Sequence, residues 1–264
     1  MSAIRQVIES RNKTKQKALS VFLTSGYPDP FNFTDLAVEI LSYGADMLEL
    51  GIPFSDPIAD GPVIQASSQS ALENGVSVKT VLSFTGQIKR QSDKPLILMG
   101  YANPLQQYGL AEFIRDAQSS GADGLIVPDV PLEDYHSFWS VDTRGLDVIL
   151  LTTPTSSEKR IREIDERSGG FVYCVSVTGT TGMRQSFATS VLDNVSRKYD
   201  VISKNKMLIG FGISAAEDIE RFSPFCDGVI VGSAVIRHLN PENPQIPKAF
   251  DLVSELRIAC NNPE

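Results

Sequence analysis

Apolar residues fall in short runs from one end of the chain to the other: ALSVFLT (18–24), ADMLELG (45–51), PLILMGY (95–101), GLIVPD (124–129), DVILLTT (147–153), FVYCVSV (171–177), KMLIGFGI (206–213) and GVIVGSA (228–234). Most are continuous rather than alternating. Strands buried on both faces read this way, and such strands belong to parallel sheets covered by helices. The pattern therefore predicts eight parallel strands.

Between the runs, polarity takes the helical period. Leu36, Ile40 and Tyr43 form one apolar stripe ended by Gly44, Phe113 and Ala117 a second ended by Gly121, and Ile161 and Ile164 a third before Gly169. A glycine after the last turn can take the left-handed position that closes a helix. Ser214-Ala-Ala-Glu217 has the spacing of a capping box and predicts a helix start directly after the seventh strand. Ile4, Val7, Ile8 and Arg11 predict an extra helix before the first strand, and Phe250, Val253 and Leu256 a final one. The stretch between strands two and three has room for one more helix or an active-site loop. No Gly/Ser linker interrupts the alternation, so residues 1–264 read as one domain. Eight strand-helix units fit an α/β fold of the closed kind, a single (β/α)8 TIM barrel with an extra N-terminal helix, better than a doubly wound sheet.

Charge narrows the partners. Lys and Arg total 24 against 32 Asp and Glu, a net charge of -8, and such a field repels nucleic-acid backbones and anionic membranes. Cys174, Cys226 and Cys260 are far apart and odd in number, a poor disulfide framework, which points to a reducing cytoplasm. Lys13, Lys15 and Lys17 before ALSVFLTSG give a superficial likeness to a signal peptide, but the apolar run is short and no A-x-A follows. No run approaches the roughly 20 apolar residues of a membrane span.

In a barrel of this kind the active site lies at the C-terminal ends of the strands. Glu49 stands out there, a carboxylate inside ADMLELG that burial penalises unless it is paired, hydrogen-bonded or protonated. GIPFSDPIADGP follows, stiffened by Pro53, Pro57 and Pro62, and presents Asp56 and Asp60. Either could complete an acid/base pair with Glu49, or accept amides of its own loop. At the far end of the chain, Gly210 and Gly212 close strand seven and Gly232 and Ser233 close strand eight. Glycines let backbone N–H groups approach a phosphate, and loops seven and eight are where barrels often hold one; TGTTG (178–182) could contribute. GFGISA also fits a dinucleotide fingerprint, but the acidic residue required at the end of the next strand is absent. His136 and His238 have no companion ligands, so no metal site is expected, and Cys174 reads as a small buried apolar residue. No G-x-S-x-G occurs.

LELGIPFSDPIADGPVIQ, YANP (101–104), VPDVP (127–131), VSVTGTTG (175–182), GFGIS (210–214) and VGSAVI (231–236), in this order over nearly the whole chain, resemble the tryptophan synthase alpha subunit family. The resemblance implies a lyase of tryptophan biosynthesis that cleaves indole-3-glycerol phosphate to indole and glyceraldehyde 3-phosphate, with Glu49 and Asp60 as the catalytic pair. It implies that Tyr173 orients Glu49, and that Phe22, Ile64, Met99, Ile126, Phe171 and Phe211 wall an indole pocket. Gly182, Gly212, Gly232 and Ser233 match its phosphate contacts, and Thr181 its lid threonine. The implied partner is a beta subunit, in an alpha2beta2 assembly, docking on loop two with Pro53, Asp56 and Pro57 and on the YANP loop with Asn103 and Pro104. No cofactor is implied for this chain; pyridoxal phosphate belongs to the partner. Two alternatives stay open, a non-catalytic activator of a beta subunit and another phosphosugar barrel enzyme, which would need a lysine at a strand end.

Overall fold

A computed structural model describes residues 1–143, 145–176, 189–210 and 212–263. Its centre is a closed barrel of parallel strands in the order β1-β2-β3-β4-β5-β6-β7-β8. The strands are β1 (Ala18–Thr24), β2 (Met47–Gly51), β3 (Leu96–Met99), β4 (Gly124–Ile126), β5 (Asp147–Thr152), β6 (Phe171–Val175), β7 (Lys206–Gly210) and β8 (Gly228–Val231). Each matches one of the predicted runs. Several runs outlast their strands at the C-terminal end, because the first residues of the following loops are themselves buried over the barrel mouth: Tyr101 and Val127 are examples.

The surrounding helices are α1 (Ala3–Lys13), α2 (Phe33–Ser42), α3 (Pro62–Glu73), α4 (Val78–Lys89), α5 (Ala102–Tyr108) and α6 (Leu110–Ser120). They continue with α7 (Tyr135–Phe138), α8 (Glu158–Arg167), α9 (Thr189–Val201), α10 (Ala216–Phe222), α11 (Ser233–His238) and α12 (Ile246–Asn261). The extra N-terminal helix is α1, which buries Ile4 and Ile8. The space between β2 and β3 holds a loop and two helices, α3 and α4. No helix among the described residues is long and apolar enough to cross a membrane.

Three local expectations need correction. Tyr43 is not part of the buried stripe of α2; it caps that helix, is exposed, and stacks on Phe250 at 4.7 Å. YANP is not a loop: Tyr101 precedes α5 and Asn103 and Pro104 lie in its first turn, while Asp129 from the β4 loop accepts the Ala102 N–H at 2.9 Å. Pro in a first turn costs nothing, since that N–H has no helical partner. The box that starts α10 uses Asp218 instead of Glu217, its Oδ2 taking the N–H groups of Ser214 and Ala215.

Two buried charges hold the outer frame. At the floor of the barrel, Asp46 accepts Arg11 Nη2 at 2.6 Å from α1, Arg257 Nη1 at 2.6 Å from α12 and the Leu19 N–H at 2.9 Å from β1. Behind β6, Lys198 of α9 is fully buried, its Nζ donating to the Val175 carbonyl at 3.1 Å and lying 3.6 Å from Cys174 Sγ. Burial pushes this amine down and the Cys174 thiol up. Cys174 is thus buried as expected, but in polar company.

Candidate active site at the barrel mouth

Glu49 sits in β2 opposite Phe22 of β1, fully removed from solvent. Its Oε1 accepts the Ser20 hydroxyl at 2.9 Å, and its Oε2 has no partner among the described residues. Burial pushes its carboxyl up to about 8 against the opposing effect of Ser20, so at neutral pH it holds a proton. An acid of this kind can give up that proton in a reaction at pH 7.

Loop two curls Asp60 back to the mouth. The Asp60 N–H donates to the Pro57 carbonyl at 3.0 Å, and the carboxylate takes the Tyr101 hydroxyl on Oδ2 at 2.8 Å. That hydroxyl in turn accepts the Ala59 N–H at 3.1 Å, which locks loop and side chain together. Burial raises Asp60 to about 6, partly offset by Tyr101, so it is ionised at neutral pH while Glu49 is not. Ser20 and Tyr101 are the residues that sequence reading missed. Tyr101 had a signal, as the first hydroxyl-bearing residue after the apolar run LILMG at a strand end; Ser20, inside ALSVFLT, had none.

Gly51, two residues beyond Glu49 on β2, borders a narrow cleft lined also by Phe22, Ile64, Met99, Tyr101, Asp60 and Thr24. Three of the expected apolar wall residues, Phe22, Ile64 and Met99, therefore meet beside Asp60. Ile126 ends β4 and is fully buried. Phe171 opens β6, fully buried, its ring centroid 6.4 Å from that of Tyr173. Tyr173 is buried with its hydroxyl over Gly210, and Glu49 is among the charges that act on it. A Cβ on Gly210 would lie 2.1 Å from the Tyr173 oxygen and 2.5 Å from its Cε1. Gly210→Ala should accordingly displace the ring and cost roughly 1–3 kcal/mol in a denaturant melt; a variant as stable as the parent would show that the ring moves freely.

The glycine-rich ends of β7 and β8 behave differently from each other. Gly232 precedes α11, and a Cβ there would lie 3.2 Å from Phe22 Cβ, so the Gly232–Ser233 backbone adjoins the cleft through the Phe22 side chain. No described residue accepts the N–H of Ser233 or Ala234. Gly212, at φ +91, makes the left-handed turn after β7. The amides of Ser214 and Ala215 just beyond are taken by Asp218. Thr181, Gly182 and Phe211 lie outside the described residues.

Of the expected docking residues, Asp56 and Asn103 are exposed, whereas Pro53 and Pro57 are buried within their own loop. Ile58 between them and Asp60 is 81% exposed. Among the described residues no group of His, Cys, Asp and Glu could hold a metal ion.

Comparison with known proteins agrees with this geometry. The family model described as tryptophan synthase alpha chain matches residues 8–259. The tryptophan synthase alpha chain of Geotalea uraniireducens is 43% identical over 238 residues, covering 90% of this chain and 89% of that one. A crystal structure of tryptophan synthase subunit alpha from Legionella pneumophila superposes with a TM-score of 0.85 at 33% identity, covering 99% of both chains. A chain of tryptophan synthase from M. tuberculosis, in an aminoacrylate-bound form, gives 0.87 at 29% identity and covers 98% of this chain and 100% of that one. A closed eight-stranded barrel, matched along nearly its whole length by these proteins, belongs to the tryptophan synthase alpha chain family.

Proposed function

We propose that this chain cleaves indole-3-glycerol phosphate into indole and glyceraldehyde 3-phosphate, with Glu49 and Asp60 carrying the proton chemistry. The observation that supports it best is the different state of two buried carboxyls that both face Tyr173, one raised to about 8 and the other only to about 6. Pairs driven apart in this way divide acid from base. Protonated Glu49 gives its proton to indole C3, the Glu49 O–H bond breaking as the C3–H bond forms. The ring becomes an indoleninium cation, whose N–H the Asp60 carboxylate holds and whose charge it stabilises. The bond from C3 to the side chain then breaks, its electrons returning to the ring, while the side-chain hydroxyl loses its proton to Glu49 and becomes a carbonyl. Glu49 ends protonated, as it began, and no redox or carbanion-stabilising cofactor enters.

Phe22, Ile64 and Met99 supply apolar walls for the indole, and the Gly232–Ser233 backbone supplies N–H donors for the phosphate. Ser233→Asp tests the phosphate assignment without threatening the fold, because an acidic residue in a helix's first turn is favourable. The added charge beside a phosphate dianion should raise KM roughly 10- to 100-fold, with an unchanged melt; an unchanged KM would move the phosphate elsewhere. Indole passes to a beta subunit, which carries pyridoxal phosphate, in an alpha2beta2 assembly in the cytoplasm, docking on the exposed Asp56 and Asn103 and the loop stiffened by Pro53 and Pro57. The primary experiment is indole release by the purified chain with and without a beta subunit. Stimulation of the beta subunit with no indole release of its own would identify a non-catalytic activator instead.

A further inference from the structure

Ser20 occupies the middle of β1, in which every residue is buried. It lies two residues before Phe22 and so projects to the same face, one layer beneath the cleft that Phe22 lines. Its hydroxyl reaches Glu49 Oε1 at 2.9 Å and no other acceptor among the described residues, while Glu49 Oε2 is buried and unpartnered. In that bond the Ser20 hydroxyl donates and Oε1 accepts.

We propose that Ser20 is a positioning residue that pins Oε1 of Glu49 as an acceptor, leaving Oε2 as the oxygen that delivers and recovers the proton during cleavage. The proposal rests on the reading of Glu49 as the proton shuttle. In a neutral carboxyl the oxygen that accepts a hydrogen bond is the carbonyl oxygen, which puts the acid proton on Oε2. When that proton passes to C3, Ser20 keeps its bond to Oε1, and a half-turn of the carboxylate would break it. The same Oε2 is therefore in place to take the proton from the side-chain hydroxyl. Over the cycle one O–H bond breaks and re-forms at Oε2, and Ser20 neither gains nor loses a proton. Its hydroxyl also favours the ionised carboxylate against the effect of burial, as expected of a donor aimed at one oxygen of the shuttle.

The test uses the full chain with Ser20→Ala, Ser20→Thr and Glu49→Gln, each checked by a denaturant melt. Ser20→Ala should fold, lose about 10-fold in kcat, the worth of one hydrogen bond, and keep its KM. The falling limb of its pH profile should move to higher pH. In infrared difference spectra against Glu49→Gln, the carbonyl stretch of protonated Glu49 should move to higher frequency. Ser20→Thr, which restores the hydroxyl, should return all three toward the parent; should its extra methyl prevent folding, the limb and the band in Ser20→Ala decide alone. A folded Ser20→Ala with parental kcat, limb and band overturns the role of Ser20. Glu49→Gln with parental turnover overturns the shuttle itself, so the two failures are distinguishable.

Discussion

Glu49→Gln should lower indole release by 10²- to 10⁴-fold while leaving the protein at least as stable at neutral pH as the parent. The amide keeps the size of the carboxyl and an oxygen to accept the Ser20 hydroxyl, but it cannot exchange a proton. The stability half of the prediction follows from linkage. The folded carboxyl titrates at about 8 against 4.5 in a solvated chain, so between these values the native state binds more protons than the unfolded state. Stability is therefore full below the lower value and declines as pH rises through the upper one, with a total loss of roughly 4–5 kcal/mol as an upper bound. Glu49→Gln removes that decline. Melts of both proteins from pH 5 to 9 should diverge upward with pH, in favour of the variant. Parental turnover, or inactivity that merely tracks unfolding, would return Glu49 to a structural role.

Asp60→Asn should cost about 10²- to 10³-fold in kcat, as loss of a charge-stabilising group does in a closed site. It should also change the shape of the pH profile. Activity needs Asp60 ionised and Glu49 protonated, so kcat/KM should rise through about 6 and fall through about 8. The amide removes the first limb and keeps the second. A substrate phosphate titrates near pH 6 as well, so the variant decides ownership: a rise unchanged in Asp60→Asn would belong to the phosphate, and Asp60 would lose its titrating role.

How far the sequence foretold all this depended on the range over which each signal acts. The eight strands were legible because burial on both faces leaves a mark in every run, and Glu49 because a lone carboxylate breaks one. Asp60 was distinguishable from Asp56 only through the family motif, since both sit in the same proline-stiffened loop and its return path is set in three dimensions. Ser20 and Lys198 left no mark. Their meaning lies in contacts 29 and 23 residues away, across neighbouring strands and onto a packed helix, where periodicity carries no information. Asp218 displaced Glu217 at the start of α10 for a smaller reason, a helix that begins one residue later than the expected box allows.

The clasp at the barrel floor sets a timetable for synthesis. Asp46 meets Arg11, 35 residues earlier, as soon as the first strands leave the ribosome, but Arg257 is 211 residues later. The same wait applies to β1, whose second neighbour is β8. At about 5–20 residues per second the nascent chain spends roughly 10–40 s with Asp46 held by Arg11 alone and an open strand edge. Such an edge is a template for pairing with another chain, so this barrel is most vulnerable to aggregation while it is still being made, and a product cut short before β8 would keep the vulnerability for its whole lifetime.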